Sequence, residues 1–230
     1  MRALLYDIHG NLGALDAVLA DAASAGADSF VLGGDYALFG ARPVETVKLL
    51  GELDAEWIRG NGERWTADPA SAPELDLVQR AIVDCRSRLG VRTVEELAAL
   101  GERAEIEDVL FCHASPRSDL ETFGPQASSS DGDLLSGTRQ STVVFGHSHL
   151  QFDRTGAGRR LVNPGSVGMP FDGDRRAAYA LWHDGGEIEL RRVAYDYDAY
   201  AADVRQRLSG SLGGAVETLM RRLEQARFVD

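Results

Sequence analysis

Short apolar runs, each closed by glycine or a polar residue, set the rhythm of the first third of the chain. Ala3 to Tyr6 is mostly apolar and reads as a buried strand that Asp7 ends. Asn11 is placed to cap a helix running to about Ala25, with Leu12, Leu15, Val18 and Leu19 on one face and Gly26 closing it. Ser29 to Leu32 reads as the second strand, followed at once by Gly33-Gly34-Asp35. Pro43 opens a helix through Leu53, Glu56 to Arg59 reads as a third strand, and Gly60-Asn61 follows it. Three strand–motif units therefore repeat, two of them with a complete helix behind. Each sets its polar residues at the carboxyl end of a strand, where open α/β sheets bind ligands.

The pattern then changes. Residues 66–104 form an acidic, helical stretch with Leu75, Val78, Ile82 and Leu89 as its apolar stripe, read as an insertion or cap between the halves of the sheet. Glu107 to Cys112 is a predicted strand delivering His113, and Ser128 to Gly132 a polar loop. Thr142 to Phe145 is a strand delivering His147 and His149. Leu161 to Asn163 is a short strand ending in Asn163-Pro164-Gly165-Ser166. Ala177 to Trp182 and Glu187 to Val193 flank His183-Asp184-Gly185-Gly186, a hairpin signal. The tail from Tyr197 to Phe228 reads as helical. No linker, fixed-period repeat or low-complexity tract interrupts the chain, so a single domain over 1–230 is expected, with 66–104 as insertion and 197–230 as a C-terminal helical segment.

Composition narrows the function classes. A chain of 230 residues can bury a full core. Its net charge of −12 argues against broad electrostatic capture of DNA, RNA or an anionic membrane. An anionic substrate can still bind where metals reverse the sign locally. The two cysteines, Cys85 and Cys112, sit in no paired motif and read as reduced thiols. Met1 to Asp7 shows no signal-peptide core, and no apolar run approaches the roughly 20 residues of a membrane span. A cytoplasmic protein is expected.

Candidate chemistry is concentrated in a few short motifs. Four of the five histidines fall in the set Asp7-Ile8-His9-Gly10-Asn11, Gly34-Asp35, Gly60-Asn61, His113 and Gly146-His147-Ser148-His149. Asp7-x-His9 puts two ligands on one loop, with the intervening residue turned away as strand alternation requires. The two glycines before Asp35 let its carboxylate approach a metal closely. Asn61 adds a neutral amide oxygen, so negative charge does not accumulate. Seven N/O ligands, Asp7, His9, Asp35, Asn61, His113, His147 and His149, suit two adjacent divalent cations, with one aspartate shared. Oxygen plus imidazole donors favour Mn, Fe, Zn, Co or Ni over Mg alone.

The ordered motif set resembles the calcineurin-like metallophosphoesterases, most closely their compact bacterial and archaeal branch, over about residues 1–195. That resemblance implies a four-layer αββα sandwich of class α/β (α+β), two central mixed sheets flanked by helices. It implies a dinuclear site at the strand ends. One metal would take Asp7, His9, Asp35 and His149; the other would take Asp35, Asn61, His113 and His147. Asp35 would bridge them, and Asp35, Asn61 and His113 are the residues expected nearest the chemistry. The implied reaction is hydrolysis of a phosphate ester or anhydride by a hydroxide lying between the metals, attacking phosphorus in line. A phosphorylated small molecule or nucleotide is the expected partner, and homo-oligomers stay open. The alternative is a non-catalytic metal-binding scaffold or protein-interaction module on the same fold.

Several residues keep two readings. Many members of the family carry histidine directly after the Gly-Asn pair to protonate the leaving oxygen; here Gly62 stands there, followed by Glu63. Glu63 is either the acid or a surface-turn carboxylate, the latter preferred. Tyr6, in place of a small residue, reads as packing. Asn11 either binds phosphate or caps the first helix. Arg117 either clamps a phosphate or is a solvated loop arginine, and Arg42 shares that ambiguity. The Asn163–Ser166 loop frames the site or is a plain turn. His183, in a hairpin turn, is not expected to be a ligand.

Overall fold

The computed structural model describes residues 1–229, whose ten strands form two mixed five-stranded sheets. The first holds β1 (Arg2–Leu5), β2 (Ser29–Leu32), β3 (Ala55–Trp57), β9 (Ala177–Trp182) and β10 (Ile188–Val193) in the order β10-β9-β1-β2-β3. Strands β1, β2 and β3 run parallel, with Ala3 opposite Phe30, and β9 and β10 run antiparallel. The second sheet holds β4 (Arg103–Ile106), β5 (Val109–Cys112), β6 (Thr142–Val144), β7 (Phe152–Gly156) and β8 (Arg159–Asn163) in the order β4-β5-β6-β8-β7, with β5, β6 and β8 parallel.

Period-two alternation assigns the faces. Leu4 and Tyr6 of the first sheet meet Phe111, Val144 and Val162 of the second in a dry inter-sheet core. Their neighbours Ala3 and Leu5 point the other way, under helices α1 (Leu12–Ser24), α2 (Pro43–Leu50), α4 (Asp76–Ala98), α6 (Tyr197–Leu212) and α7 (Val216–Gln225). The outer face of the second sheet, with Leu110, Val143 and Phe145, is covered by Phe123, Leu135 and the four-residue helix α5 (Asp131–Leu134). The αββα sandwich is thus present, with a thin fourth layer. No helix among the described residues is long and apolar enough to cross a membrane.

Several boundaries differ from the sequence expectation. Asn61 is not in a plain turn but opens helix α3 (Asn61–Ala67), so the helical stretch begins before residue 66. Gly90, at φ 76°, breaks α4, and the stretch ends in β4 rather than in helix. The strand expected over Glu107–Cys112 is the second half of a hairpin, whose turn runs through Glu107 at φ 54°. That turn lacks the Asn-Gly or Asp-Gly dipeptide that announces such geometry. Strand β7 was not expected either; Ala157 and Gly158, both at positive φ, turn it into β8. The polar loop at 128–132 contributes to α5, and Gly213, at φ 56°, divides the C-terminal helix.

Tyr6 spans the gap between the sheets at their site-bearing ends. Its hydroxyl donates to the Val144 carbonyl at 3.2 Å, and its ring fills the space where a Cβ on Gly33 or Gly146 would stand, 1.8 and 2.6 Å from ring carbons. The small residues required around a tyrosine at this position are therefore 33 and 146. Gly33→Ala should destabilise the fold by about 1–3 kcal/mol through overpacking. In a Tyr6→Leu background that penalty should fall below about 1 kcal/mol. Urea midpoints for the four proteins of the cycle measure this; additive penalties would mean that the ring is not what excludes the Cβ.

Candidate metal centre

The site grows from the carboxyl ends of parallel strands. Asp7 and His9 follow β1, Asp35 follows β2, Asn61 follows β3, His113 follows β5, and His147 and His149 follow β6. Strand alternation does not aim Asp7 and His9, contrary to expectation. Asp7, His9, Asp35, His147 and His149 all have positive φ, between 48° and 65°. The left-handed conformation is unfavourable for a residue with a Cβ and persists only where surroundings over-determine it. Here the loops brace one another. Asp7 N donates to the Gly34 carbonyl, Ile8 N and His9 N both donate to the Asp35 carbonyl, and Gly146 N donates to the His113 carbonyl. The Asn163–Ser166 loop belongs to this frame: Ser166 Oγ donates to the Asp7 carbonyl at 2.6 Å, and Asn163 Nδ2 donates to the Gly146 carbonyl at 3.0 Å.

Three rings are fixed through Nδ1. His9 Nδ1 meets the Leu38 carbonyl at 2.8 Å, His113 Nδ1 meets that of Gly33 at 2.8 Å, and His149 Nδ1 meets that of Met169 at 2.6 Å. Each contact requires the proton on Nδ1, which leaves Nε2 as a bare lone pair. Backbone carbonyls behind imidazoles are the usual orienting partners of metal-ligating histidines. His9 Nε2 and His149 Nε2 then face each other at 3.2 Å. Asp7 Oδ1 is buried without a hydrogen-bond partner, 3.6 Å from His149 Nε2 and 4.0 Å from His113 Nε2. The Asp35 carboxylate reaches both sides, Oδ2 lying 3.9 Å from His9 Nε2 and Oδ1 lying 3.6 Å from His113 Nε2. The Asn61 amide stands 2.8 Å from both His113 Nε2 and His147 Nδ1. Its oxygen can face two lone pairs only if a cation lies between them; otherwise the NH₂ end must face them.

Electrostatics give the same picture. Burial pushes His9 down, pushes His149 well down, and takes half-buried His147 to about 4. These imidazoles are neutral at neutral pH, the form that binds metal. Burial, aided by the Asp35 charge, pushes the Asp7 carboxyl well up. Lone pairs and carboxylates converging in a dry space destabilise one another until a cation neutralises them. The donor set fits divalent metal: Asp7 with His9 and His149, and Asp7 with Asp35 and His113, bring their ligand atoms within 4.8 Å.

The surrounding residues resolve several ambiguities. Glu63 is not a surface-turn carboxylate; it is buried, and it accepts hydrogen bonds from Asp35 N, Tyr36 N and Gly60 N at 3.1, 2.8 and 2.8 Å. Burial and neighbouring Asp35 push its carboxyl up to about 8, opposed by those N–H groups. The missed signal is Gly60-x-x-Glu63, the spacing at which a carboxylate reaches back over a helix start. Gly62 N donates to Asp35 Oδ1 at 2.7 Å, and a Cβ at 62 would stand 2.8 Å from that oxygen, so a larger residue there would press on the Asp35 carboxylate. Asn11 is no substrate ligand in this arrangement. It is fully buried, its Oδ1 caps α1 by accepting from Ala14 N, and its Nδ2 donates to the Gly168 carbonyl and Tyr195 Oη. Arg117 is exposed, donates to the Asp133 carbonyl, and borders a cavity of about 330 Å³ that His113 also lines. Arg42 is paired with Asp203. His183 pairs with Glu189 in the hairpin.

A two-sheet sandwich with these donors at its strand ends defines a metal-dependent phosphoester hydrolase in the general sense. The chain belongs to the calcineurin-like phosphoesterase superfamily, whose domain it matches over residues 1–184. It is similar to an uncharacterised protein of Methanocaldococcus jannaschii, 30% identical over 243 residues, spanning 93% of this chain and 96% of that one. Among solved structures it is similar to a metallophosphoesterase from Sphaerobacter thermophilus, with a TM-score of 0.82 at 26% identity over 98% of this chain and 99% of that one. A hypothetical protein from Pyrococcus horikoshii OT3 shares the fold, with a TM-score of 0.77 at 18% identity over 96% and 98% of the two chains.

The three N–H bonds to Glu63 tie the Asp35 loop to the start of α3. Glu63→Gln turns one acceptor oxygen into a donor facing an N–H, which should cost about 1–3 kcal/mol of stability. Thermal unfolding of the two proteins tests this, and an unchanged midpoint would deny Glu63 that role.

Proposed function

We propose that the protein hydrolyses phosphate esters or anhydrides at a dinuclear centre formed by Asp7, His9, Asp35, Asn61, His113, His147 and His149. One cation would be held by Asp7, His9, Asp35 and His149, the other by Asp35, Asn61, His113 and His147. The reading rests chiefly on the close approach of His9 Nε2 and His149 Nε2 at 3.2 Å, with both rings locked through their other nitrogen. The split reach of Asp35, one oxygen toward each histidine group, supports its bridging role. When bound, two divalent cations supply Lewis-acid polarisation of the phosphoryl group and acidify a water molecule. Mn, Fe, Zn, Co and Ni all suit the donors.

The chain's own residues do the rest. The backbone carbonyls of Gly33, Leu38 and Met169 keep each Nε2 free of protons and aimed inward. His147 N donates to Asp7 Oδ2 at 2.9 Å and Gly62 N to Asp35 Oδ1 at 2.7 Å, so each carboxylate has one oxygen restrained by an amide. The substrate is a phosphorylated small molecule or nucleotide; two buried free thiols, Cys85 and Cys112, fit a reducing compartment such as the cytoplasm.

Elemental analysis tests the assignment first. Asp35→Ala should lose both metals, while Asn61→Ala should weaken mainly one; two metals retained tightly by Asp35→Ala would end the bridging assignment. Exhaustive chelation should abolish hydrolysis, and Mn²⁺ or Co²⁺ should restore it.

The leaving group provides a second test. No histidine follows Asn61, and Glu63 is buried, held by three backbone N–H groups and outside the lining of the cavity over the candidate ligands, so neither position presents a proton to a departing oxygen. General acid assistance is worth about 10²–10⁴ in rate. Aryl esters and anhydrides should therefore outrun simple alkyl phosphates by about that factor at saturating Mn²⁺. The rate series against leaving-group pKa should be steep in the parent and equally steep in Glu63→Gln. A flat parental series that steepens in Glu63→Gln would identify Glu63 as the acid.

A further inference from the structure

The cavity over the candidate ligands has one polar side and one apolar side. It measures about 410 Å³, within the usual range for small-molecule sites. His9, Asp35, Asn61, His147 and His149 make up its polar lining; Phe39, Trp65, Leu75, Leu120, Phe171 and Phe228 are prominent in its apolar lining. Three of these are among the six large apolar side chains that the described surface exposes, Leu75 at 55%, Leu120 at 42% and Phe228 at 60%. A single exposed leucine needs no explanation, whereas a cluster around one cavity marks a binding surface. The three come from separate segments, the approach to α4, the loop after β5 and the residues after α7, so no one helix stripe accounts for them.

The aromatic members are already ordered against the ligands. Phe171 stacks on His149 with ring centroids 4.5 Å apart and planes at 19°, and Phe228 meets Phe171 edge-on at 5.8 Å. Arg222, which also lines the cavity, packs on Phe228, its guanidinium 4.2 Å from the ring centroid and its Nε donating to the Val229 carbonyl. Polar groups in the rest of the lining are few. Ser148 Oγ accepts from Asn163 Nδ2, while Trp65 Nε1 and Thr122 Oγ1 are buried without a hydrogen-bond partner. An apolar guest therefore strips no further hydration from those two atoms.

We infer that the substrate carries a flat aromatic group next to its phosphoryl group, and that Leu75, Leu120, Phe171 and Phe228 form the specificity wall against which that group lies. This rests on the phosphoester reading of the same centre. A phosphoryl group on the ligand side and a ring on the apolar side match the two halves of the cavity. The bounded volume favours a compact ring over a long acyl chain.

Calorimetric titration of the Mn²⁺-loaded protein with three non-hydrolysable probes tests this without catalysis: methylphosphonate, benzylphosphonate and octylphosphonate. Benzylphosphonate should bind about tenfold more tightly than methylphosphonate, the return expected from burying one ring. Leu75→Ser and Phe228→Ala, at exposed positions where folding is secure, should each shrink that ratio by about threefold or more, measured within the same variant. Equal affinities for the methyl and benzyl probes would overturn the wall while leaving the phosphoester centre intact. Tightest binding of octylphosphonate would overturn the aromatic class in favour of an acyl chain. A benzyl preference that fades as protein concentration rises, with dimers that Leu75→Ser dissolves, would assign the wall to a second copy. Failure of all three probes to bind a protein that retains its manganese would overturn the phosphoester reading and this inference together.

Discussion

Two imidazole lone pairs facing each other at 3.2 Å are a repulsive contact in the absence of a shared cation or proton, and much of this structure serves to hold them there. The carbonyls of Leu38 and Met169 fix the tautomers, which removes the easiest escape, a proton on one Nε2. Burial makes protonation harder still, since it disfavours the imidazolium. The backbone is equally committed. Five candidate ligands adopt left-handed φ, a conformation worth on the order of 1–3 kcal/mol of strain per residue. The hydrogen bonds from the β1 loop to the β2 loop, and from the Asn163–Ser166 loop to Asp7, hold these residues in place. Stability from the three cores is diverted into holding these candidate ligands in place, the usual trade between a stable fold and a strained site.

The two-sheet arrangement explains why the candidate ligands come from so many places. A single parallel sheet can present loops along one line, whereas two sheets facing each other present two lines separated by their inter-sheet core. Asp7, His9, Asp35 and Asn61 come from one sheet, His113, His147 and His149 from the other. Tyr6 sets the separation at this end, since its ring occupies the space left by Gly33 and Gly146 and its hydroxyl reaches the Val144 carbonyl. Helix α3 closes the third side. Its first turn brings the Asn61 amide to His113 and His147, gives Gly62 N to Asp35, and turns Glu63 back onto three amides.

Much of this was readable in the chain because apolar runs and turn dipeptides act locally. Ser29–Leu32 and Ala177–Trp182 were bounded correctly by residue type alone. The motif positions were readable for the same reason, each lying where an apolar run stops. The errors fall where tertiary contacts override local preference. Asn61 looks like a turn residue, yet it starts a helix, because Glu63 in the first turn reaches back to Gly60 N while also accepting from the Asp35 loop. Glu63 looks solvated because its local signal is only the spacing from Gly60; two of the three N–H groups that hold it lie 27 and 28 residues away. Strand β7 alternates poorly, as Phe152-Asp153-Arg154-Thr155-Gly156, and is held as an edge strand by β8. The positive φ of Asp7 and His9 has no glycine to announce it.

The same distinction separates the centre from its specificity. Ligands cluster in short motifs because two donors on one loop are already close together, so chemistry of this kind leaves a compact trace in sequence. The apolar wall is assembled from Leu75, Leu120, Phe171 and Phe228, which no motif and no period connects. Leu75 looks like part of the α4 stripe and Phe228 like the last apolar residue of a helix, and both leave their helices before they reach the cavity. Loops and element ends tolerate change better than strands do, and they carry recognition for that reason. One ligand frame can therefore serve different phosphoesters as the residues after β5, before α4 and after α7 vary. The ligand frame is under a different constraint: a change at Gly33, Gly62 or Glu63 acts on the ligands through backbone and packing, before it reaches any substrate.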